Sequence, residues 1–370
     1  MPPARANVRT DETENRLPVL LPLRLSHPYD YAASPDSDIR PGDYVRVPFG
    51  SREAIGVVWD SGANIGKATS KTGRAFRLKA IREILPAPPM PEALRRFVEW
   101  VAAYTMTPPG LVLRMTMPLP EALRPTPAAM GLHLCPEPPQ AEPPARMTAK
   151  RQKVIDFLTC SGNVPLAKAA LAQQAGVGVG VIQGLLEAGL LEKTPLPAAK
   201  IAQPDGGRQG PKLSKPQDAA AKDLTRAVAD GGFQPFLLDG VTGSGKTEVY
   251  FEAIAKALDA GRQALVLLPE ISLSAQWLAR FEARFHARPA VWHSGLGQAA
   301  RRQNFRAIAC GDARVVVGAR SALFLPFPEL GLLVVDEEHD ASYKQEDGVI
   351  YQARDMAIVR AKLEKCPIVL

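Results

Sequence analysis

The stretch PFLLDGVTGSGKTEVYFEAI, residues 235–254, decides the fold of the C-terminal half of the chain. It holds an apolar run, then Gly240 to Thr247 in the pattern G-x-x-x-x-G-K-T, then apolar residues at helical spacing. Glycines in such a loop let main-chain N–H groups surround phosphates, and the start of the helix adds partial positive charge. The stretch therefore predicts a strand, a phosphate-binding loop and a helix within an α/β domain.

The loop gives its polar residues distinct roles. Lys246 would reach the β- and γ-phosphate oxygens of ATP, and the Thr247 hydroxyl would bind Mg²⁺. Upstream, the amide of Gln217 offers both a donor and an acceptor to the edge of adenine, although an ordinary surface glutamine is an open alternative. The expected ATP-binding residues are Gln217, Gly240, Gly243, Ser244, Gly245, Lys246 and Thr247.

A second motif follows a buried strand, in LLVVDEEH at residues 332–339. Ligands of open α/β sheets lie at the carboxyl ends of the strands, where Asp336 would fix Mg²⁺ and Glu337 would accept a proton from the attacking water. His339 could link the γ-phosphate to a moving element. The motif predicts ATP hydrolysis by Lys246, Asp336, Glu337 and His339, with Thr247 and Asp336 as metal ligands.

Strands and helices alternate around these motifs, which predicts a mostly parallel sheet covered on both faces over residues 213–370. The loops 269–273, 292–295 and 317–324 each follow a strand and carry hydroxyls and the cation Arg320. Such loops suit the sugar-phosphate backbone of a nucleic acid, although plain turn chemistry explains each loop equally well by itself.

The N-terminal half has a different pattern. Residues 16–85 alternate as short strands between turn-formers, a helix is predicted over 92–105, and the first domain is predicted to span 1–117. Proline-rich residues 118–146 predict a linker. Three short helices and a hairpin within 147–196 predict a winged-helix domain, with a helical spacer as the alternative, and residues 197–212 predict a second linker.

Composition limits the classes of partner. A net charge of +7 favours a polyanion such as nucleic acid. The four cysteines form no C-x-x-C pair, so neither a zinc site nor a disulfide framework is predicted. Because no stretch approaches the roughly 20 apolar residues that span a bilayer, we expect a cytoplasmic protein without a membrane partner.

Several motifs together resemble one family. LLDGVTGSGKTEVY, LVLLPEISLSAQ, HSGL, VVVGARSALF and VDEEHDASYKQ, with HPYDYAA, GDYVRVPFG and RLKAI nearer the N-terminus, look like the primosomal protein N′ (PriA) family of superfamily 2 DNA helicases. The resemblance implies an enzyme that uses ATP and Mg²⁺, recognises abandoned replication forks, unwinds DNA 3′ to 5′ and initiates primosome assembly. It implies forked and single-stranded DNA, single-strand-binding protein, primosome proteins and replicative helicase-loading proteins as partners, and a nucleoid-associated location.

The resemblance also assigns DNA contacts. Tyr29, Asp30, Gly50 and Lys79 would line a pocket for a 3′ end, Asp30 binding the 3′ hydroxyl and Lys79 a nearby phosphate. Residues 342–355 resemble the family's aromatic-rich loop, although Ile350 stands where the family usually has a basic residue. The expected DNA-binding residues are Tyr29, Asp30, Gly50, Lys79, Arg320, Tyr343, Lys344 and Tyr351.

The sequence stops at residues 366–370, where the family continues into a second motor lobe. We therefore expect a truncated first lobe without the arginine finger, and zinc only in the family's C-terminal part. This favours, as an alternative to the helicase, a non-catalytic fragment that binds forks and 3′ ends. A third hypothesis, less favoured than these two, is a small-molecule kinase with a phosphate-binding loop.

Overall fold

The computed structural model describes residues 16–33, 37–60, 78–117, 119–125, 130–136, 147–196, 202–241, 243–269 and 275–370. The chain divides into two compact units. One unit consists of Met1–Pro125 with Ile201–Leu370, and the other is Thr126–Lys200.

An antiparallel sheet begins the first unit. Its strands run in the order β2-β1-β4-β3-β5, and Gly50 makes the tight β3–β4 turn at a φ of 62°. This confirms the β-rich N-terminal region that the turn-formers predicted. The strands are β1 (Arg16–Leu20), β2 (Tyr29–Ala32), β3 (Tyr44–Phe49), β4 (Arg52–Val58) and β5 (Glu83–Ile84).

Two helices follow, α1 (Glu92–Tyr104) and α2 (Pro109–Thr116). Apolar residues of α1 at helical spacing are buried in a core shared with the N-terminal sheet and the C-terminal lobe. The ring of Phe97 lies 5.2 Å from that of Phe324, between centroids. The predicted helix is confirmed, and it joins the sheet to the lobe.

The second unit has three helices and a three-stranded antiparallel sheet in the order β7-β6-β8, a winged-helix arrangement with one shared core rather than a helical spacer. Its elements are β6 (Met130–Leu134), α3 (Ala149–Cys160), β7 (Leu166–Ala167), α4 (Lys168–Gln174), α5 (Val179–Glu187) and β8 (Leu191–Pro195). The predicted linker 118–146 is wrong over Met130–Leu134, because Leu132 lies buried in this core and β6 pairs along its whole length with β8.

A six-stranded parallel sheet in the order β11-β12-β10-β13-β16-β9 forms the C-terminal lobe, as predicted. A short hairpin, β14–β15, follows β13. The elements are α6 (Lys215–Asp230), β9 (Pro235–Phe236), α7 (Lys246–Asp259), β10 (Gln263–Leu267), α8 (Ala275–Phe285), β11 (Ala290–Trp292), α9 (Gln298–Ala309), β12 (Val315–Gly318), β13 (Leu330–Val335), β14 (Lys344–Gln345), β15 (Tyr351–Gln352), α10 (Ala353–Glu364) and β16 (Ile368–Val369).

Part of the predicted second linker, residues 197–212, is hydrogen-bonded to the C-terminal lobe. The Asp205 N–H donates to the carbonyl of Phe285 at 2.9 Å, and Gln203 Nε2 donates to the carbonyl of Asp312 at 2.9 Å. Residues 202–212 therefore form a strap on the lobe rather than a free spacer. Residues 197–201 lie outside the described residues.

Across the ranges that the structure describes, no single helix is long and apolar enough to cross a membrane. Helices α4 and α5 meet that requirement only as a pair, with a bend of 116° between them.

Candidate nucleotide and DNA sites

The phosphate-binding loop leads directly into helix α7. Gly243 and Gly245 both adopt a φ of 82°, a conformation that glycine enters without strain. Lys246 is the first residue of the helix, and its Nζ donates to the carbonyl of Gly240 at 2.9 Å. The lysine thus closes the loop on itself, in the position expected of a phosphate ligand. Thr242 lies outside the described residues.

The acidic motif continues from β13. Asp336 follows the last strand residue, and its Oδ1 accepts the N–H of Glu337 at 3.1 Å. Burial raises the pKa of Asp336, while a hydrogen bond from Tyr250 and the charge of Lys246 oppose the rise. Glu337 has a φ of 49°, the left-handed region in which a residue other than glycine is uncommon. His339 Nε2 lies 3.7 Å from Glu337 Oε2.

These two motifs meet in one cavity of about 170 Å³. Its lining includes all four residues predicted to be catalytic, namely Lys246, Asp336, Glu337 and His339, together with Gly240. A carboxylate and a hydroxyl are oxygen donors of the kind that Mg²⁺ prefers, so Asp336 and Thr247 fit the expected ion. The sequence prediction thus identified residues that are neighbours in space.

Tyr250 is a residue at this site that the sequence interpretation missed. Its hydroxyl donates to Asp336 Oδ2 at 3.0 Å and accepts from Trp277 Nε1 at 2.8 Å. Tyr250 stands four residues after Lys246 on α7, and residues at that spacing share a helix face. The four-residue spacing from Lys246 could therefore have identified Tyr250 from the sequence.

Gln217 does not face an open base site in this structure. Its Oε1 accepts the N–H of Ser214 at 2.8 Å, within a capping box at the start of α6. Its Nε2 donates to the carbonyl of Ser244 at 2.7 Å. Gln217 therefore ties α6 to the phosphate-binding loop, and one amide hydrogen and one lone pair are left for adenine.

The two tyrosines predicted to stack on DNA are buried, and this contradicts that prediction. Tyr343 is 1% exposed and Tyr351 is 3% exposed. The Tyr343 hydroxyl contacts the main-chain carbonyls of Leu267 and Asp336, and the Tyr351 ring packs edge-on against Phe324 at 5.5 Å. Both rings are buried because their surroundings are apolar. The motif itself does not reveal these surroundings.

The neighbouring cations remain near the surface. Lys344 Nζ pairs with Glu346 at 2.8 Å, both side chains being exposed. Arg320 NH1 donates to the carbonyls of Ser342 at 2.8 Å and Lys344 at 2.7 Å. Arg320 thereby anchors residues 342–344, the segment that directly follows the acidic motif.

The predicted 3′-end residues lie on neighbouring parts of the N-terminal sheet, where the Ala32 N–H of β2 donates to the carbonyl of Lys79 at 3.0 Å. Lys79 Nζ contacts the carbonyl of Gly50 at 3.4 Å, and both residues line a cavity of about 570 Å³ with Arg52 and Arg82. Three cations against one acid, Glu53, give this lining a basic balance that suits phosphate.

Tyr29 and Asp30 lie on β2, outside that lining. The Tyr29 ring packs edge-on against Phe49 at 5.6 Å. Asp30 Oδ2 pairs with Arg16 NH1 at 3.3 Å, and its side chain is 38% exposed. Asp30 is therefore accessible, but it already has a cationic partner.

Of the predicted backbone-binding loops, the loop 269–273 lies outside the described residues except for Pro269. In the 292–295 loop, Arg301 NH2 donates to the carbonyls of His293 at 3.2 Å and Ser294 at 2.9 Å. An arginine thus fixes the shape of this loop from helix α9.

Comparison with known proteins agrees with both halves of the first unit. Residues 18–118 match a family model described as the PriA 3′ DNA-binding domain, and residues 214–369 match the DEAD/DEAH box helicase model. The helicase domain of Pyrococcus furiosus Hef matches with a TM-score of 0.32 and 20% identity, over 42% of this chain and 31% of that one.

Two curated relatives carry the same name, replication restart protein PriA. The protein from Rickettsia conorii is 33% identical over 95% of this chain and 42% of its own length. The protein from Bacillus subtilis is 39% identical over 62% of this chain and 29% of its own length. The chain spans less than half the length of these relatives, and it belongs to the PriA family.

Proposed function

We propose that this chain recognises DNA ends at stalled or abandoned replication forks and supplies the first motor lobe of an ATP-dependent helicase that moves 3′ to 5′. In this role it initiates primosome assembly on the nucleoid. Its partners are forked and single-stranded DNA, single-strand-binding protein, and primosome and replicative helicase-loading proteins. The proposal rests on one observation: the same cavity is lined by Lys246, Asp336 and Glu337.

In the nucleotide site, the phosphate chain lies along Gly240, Gly243, Ser244 and Gly245, where main-chain N–H groups surround it. Lys246 leaves the carbonyl of Gly240 to bind the phosphates. Mg²⁺, held by Thr247 and Asp336, would neutralise charge on the phosphate oxygens.

Glu337 is the base for the attacking water, because it lines the cavity beside Asp336. His339 lies within reach of the Glu337 carboxylate and can orient it. Gln217 contributes to the adenine site through its remaining donor and acceptor, once the loop is occupied.

In the DNA-end site, Lys79 binds a phosphate near the 3′ hydroxyl, and Gly50, Arg52 and Arg82 line the same cavity. Tyr29 offers a ring near the entrance and Asp30 accepts the free 3′ hydroxyl. A carboxylate accepts a hydrogen bond from a hydroxyl but repels a terminal phosphate. Arg320 and Lys344 bind the exposed strand farther along.

Steady-state ATP hydrolysis with and without forked DNA tests the proposal. We expect turnover that DNA stimulates and that Lys246→Ala abolishes. Fork binding without turnover would support the non-catalytic alternative for this chain, and hydrolysis that ignores DNA would contradict the helicase proposal.

DNA ends that differ in one group test the recognition site separately. We expect a fork with a 3′ hydroxyl to bind more tightly than the same fork with a 3′ phosphate, and Asp30→Ala to abolish the preference. Asp38→Ala is the matched control, since Asp38 pairs with Arg40 on the surface of the same sheet domain. An unchanged preference in Asp30→Ala would remove that residue from the site.

A further inference from the structure

The hydroxyl of Tyr250 contacts Asp336, one of the two residues that fit Mg²⁺. It is 3.0 Å from Asp336 Oδ2. The other residue, Thr247, stands three positions before Tyr250 on α7 and shares its helix face. The tyrosine is 1% exposed, and it lines the cavity with Asp336.

The direction of the Tyr250 hydroxyl proton follows from Trp277, the second hydrogen-bond partner of the Tyr250 oxygen. An indole N–H is a donor only, and Trp277 Nε1 lies 2.8 Å from the Tyr250 oxygen. The tyrosine oxygen must accept from Trp277, so its single proton is directed at Asp336 Oδ2. Because Asp336 Oδ1 accepts the N–H of Glu337, both oxygens of the carboxylate are oriented.

Packing holds the indole in place. Trp277 is 6% exposed, its ring stacks on Phe281 at 5.4 Å, and it meets Phe251 edge-on at 5.6 Å. A rigid donor costs less entropy to align than a mobile one, which strengthens its effect on the tyrosine.

We propose that Tyr250 and Trp277 are positioning residues for the metal–nucleotide complex, Tyr250 by orienting Asp336 and Trp277 by orienting Tyr250. The inference rests on the proposed ATP site and goes beyond it by naming the residues that fix the carboxylate. Both residues act through Asp336, the candidate metal ligand, so we expect their effect on the metal-dependent part of binding. Outer hydrogen bonds of this kind change metal affinity by about 10- to 100-fold.

Calorimetric titration of the full chain with ADP, once with excess Mg²⁺ and once with EDTA, separates this role from general pocket structure. We expect Tyr250→Phe to weaken Mg²⁺·ADP binding about tenfold and Trp277→Phe to weaken it less, with ADP affinity in EDTA unchanged in both. Tyr44→Phe is the matched control, because it also removes a buried tyrosine hydroxyl, but in the N-terminal sheet. Melting temperatures report whether each variant is folded.

Two outcomes would overturn the inference alone. One is equal weakening in Mg²⁺ and in EDTA, which indicates general damage to the pocket. The other is unchanged Mg²⁺·ADP affinity in a folded Tyr250→Phe. Lys246→Ala tests the proposed nucleotide site itself. If this variant binds ADP as tightly as the parent chain, both with Mg²⁺ and with EDTA, the proposed nucleotide site is overturned as well.

Discussion

The hydroxyl of Tyr343 lies 2.7 Å from the main-chain carbonyl of Asp336 and 3.0 Å from that of Leu267. Leu267 ends β10 and Asp336 follows β13, so the tyrosine bridges the carboxyl ends of two neighbouring strands. Residues 342–344 are thereby attached to the backbone of the acidic motif. Any displacement of this segment would act on the main chain that carries Asp336.

Tyr343→Phe should destabilise the chain by about 1–2 kcal/mol, because the Asp336 carbonyl loses its hydroxyl donor, whereas the Leu267 carbonyl still accepts the N–H of Asp336 at 3.0 Å. Tyr351→Phe is the matched control. Its hydroxyl is equally buried and has no hydrogen-bond partner among the described residues, so its removal should be neutral or stabilising by up to about 1 kcal/mol. Urea unfolding of both variants measures the difference. Equal effects would show that the Tyr343 hydroxyl makes no stabilising contact.

Gly245→Ala should impair nucleotide binding more than Gly243→Ala. Both glycines have a φ of 82°, so each alanine carries a similar strain of about 1–2 kcal/mol. A Cβ at Gly245 would also lie 2.5 Å from Gln217 Nε2, whereas at Gly243 it meets nothing within 4 Å. The extra loss comes from displacing Gln217. Titration with ADP compares the two variants, and equal affinities would show that Gln217 does not support the loop.

Motifs with a fixed chemical spacing were predictable from sequence, and contacts made by burial were not. The spacing of Lys246 and the strand before Asp336 placed both residues at one sheet edge, because parallel strands end together. Tyr343 and Tyr351 were assigned to DNA from the resemblance of residues 342–355 to the family's aromatic-rich loop, and their positions depend on distant apolar partners. β6 was not predicted because it lies within a proline-rich stretch. The strand with which it pairs, β8, lies far along the chain.

Arg320→Ala should loosen residues 342–344. The guanidinium donates to the carbonyls of Ser342 and Lys344, and hydrogen bonds from a charged donor contribute about 1.5–3 kcal/mol each at most. Hydrogen exchange should become faster in this segment. Lys344→Ala is the control, because it removes a neighbouring cation whose exposed pair with Glu346 contributes little. Identical exchange in both variants would contradict the anchoring role.

Asp336→Asn should change the stability of the folded chain little while weakening Mg²⁺·ADP binding. Burial raises the pKa of this carboxyl, so its charged form carries a desolvation cost that a neutral amide of the same shape avoids. The amide oxygen still accepts from Tyr250, but the amide NH2 then faces the N–H of Glu337, which Oδ1 accepts in the parent chain. Because this loss opposes the gain, we expect the stability to stay within about 1 kcal/mol of the parent in thermal unfolding near neutral pH. A larger loss of stability would show that the contacts of the carboxylate outweigh its desolvation.

Phe97→Ala should separate the folding of the N-terminal sheet from that of the lobe. Phe97 is fully buried, its ring lies 5.2 Å from Phe324, and the Arg360 guanidinium lies over it at 5.5 Å. Truncating such a ring costs about 3–5 kcal/mol, and here the loss falls on the shared core. Calorimetry should resolve two transitions in place of one. Phe281→Ala, in the separate core beneath α7 and α8, should lower the lobe transition without splitting it. A single transition in Phe97→Ala would mean that contacts other than this ring couple the two parts.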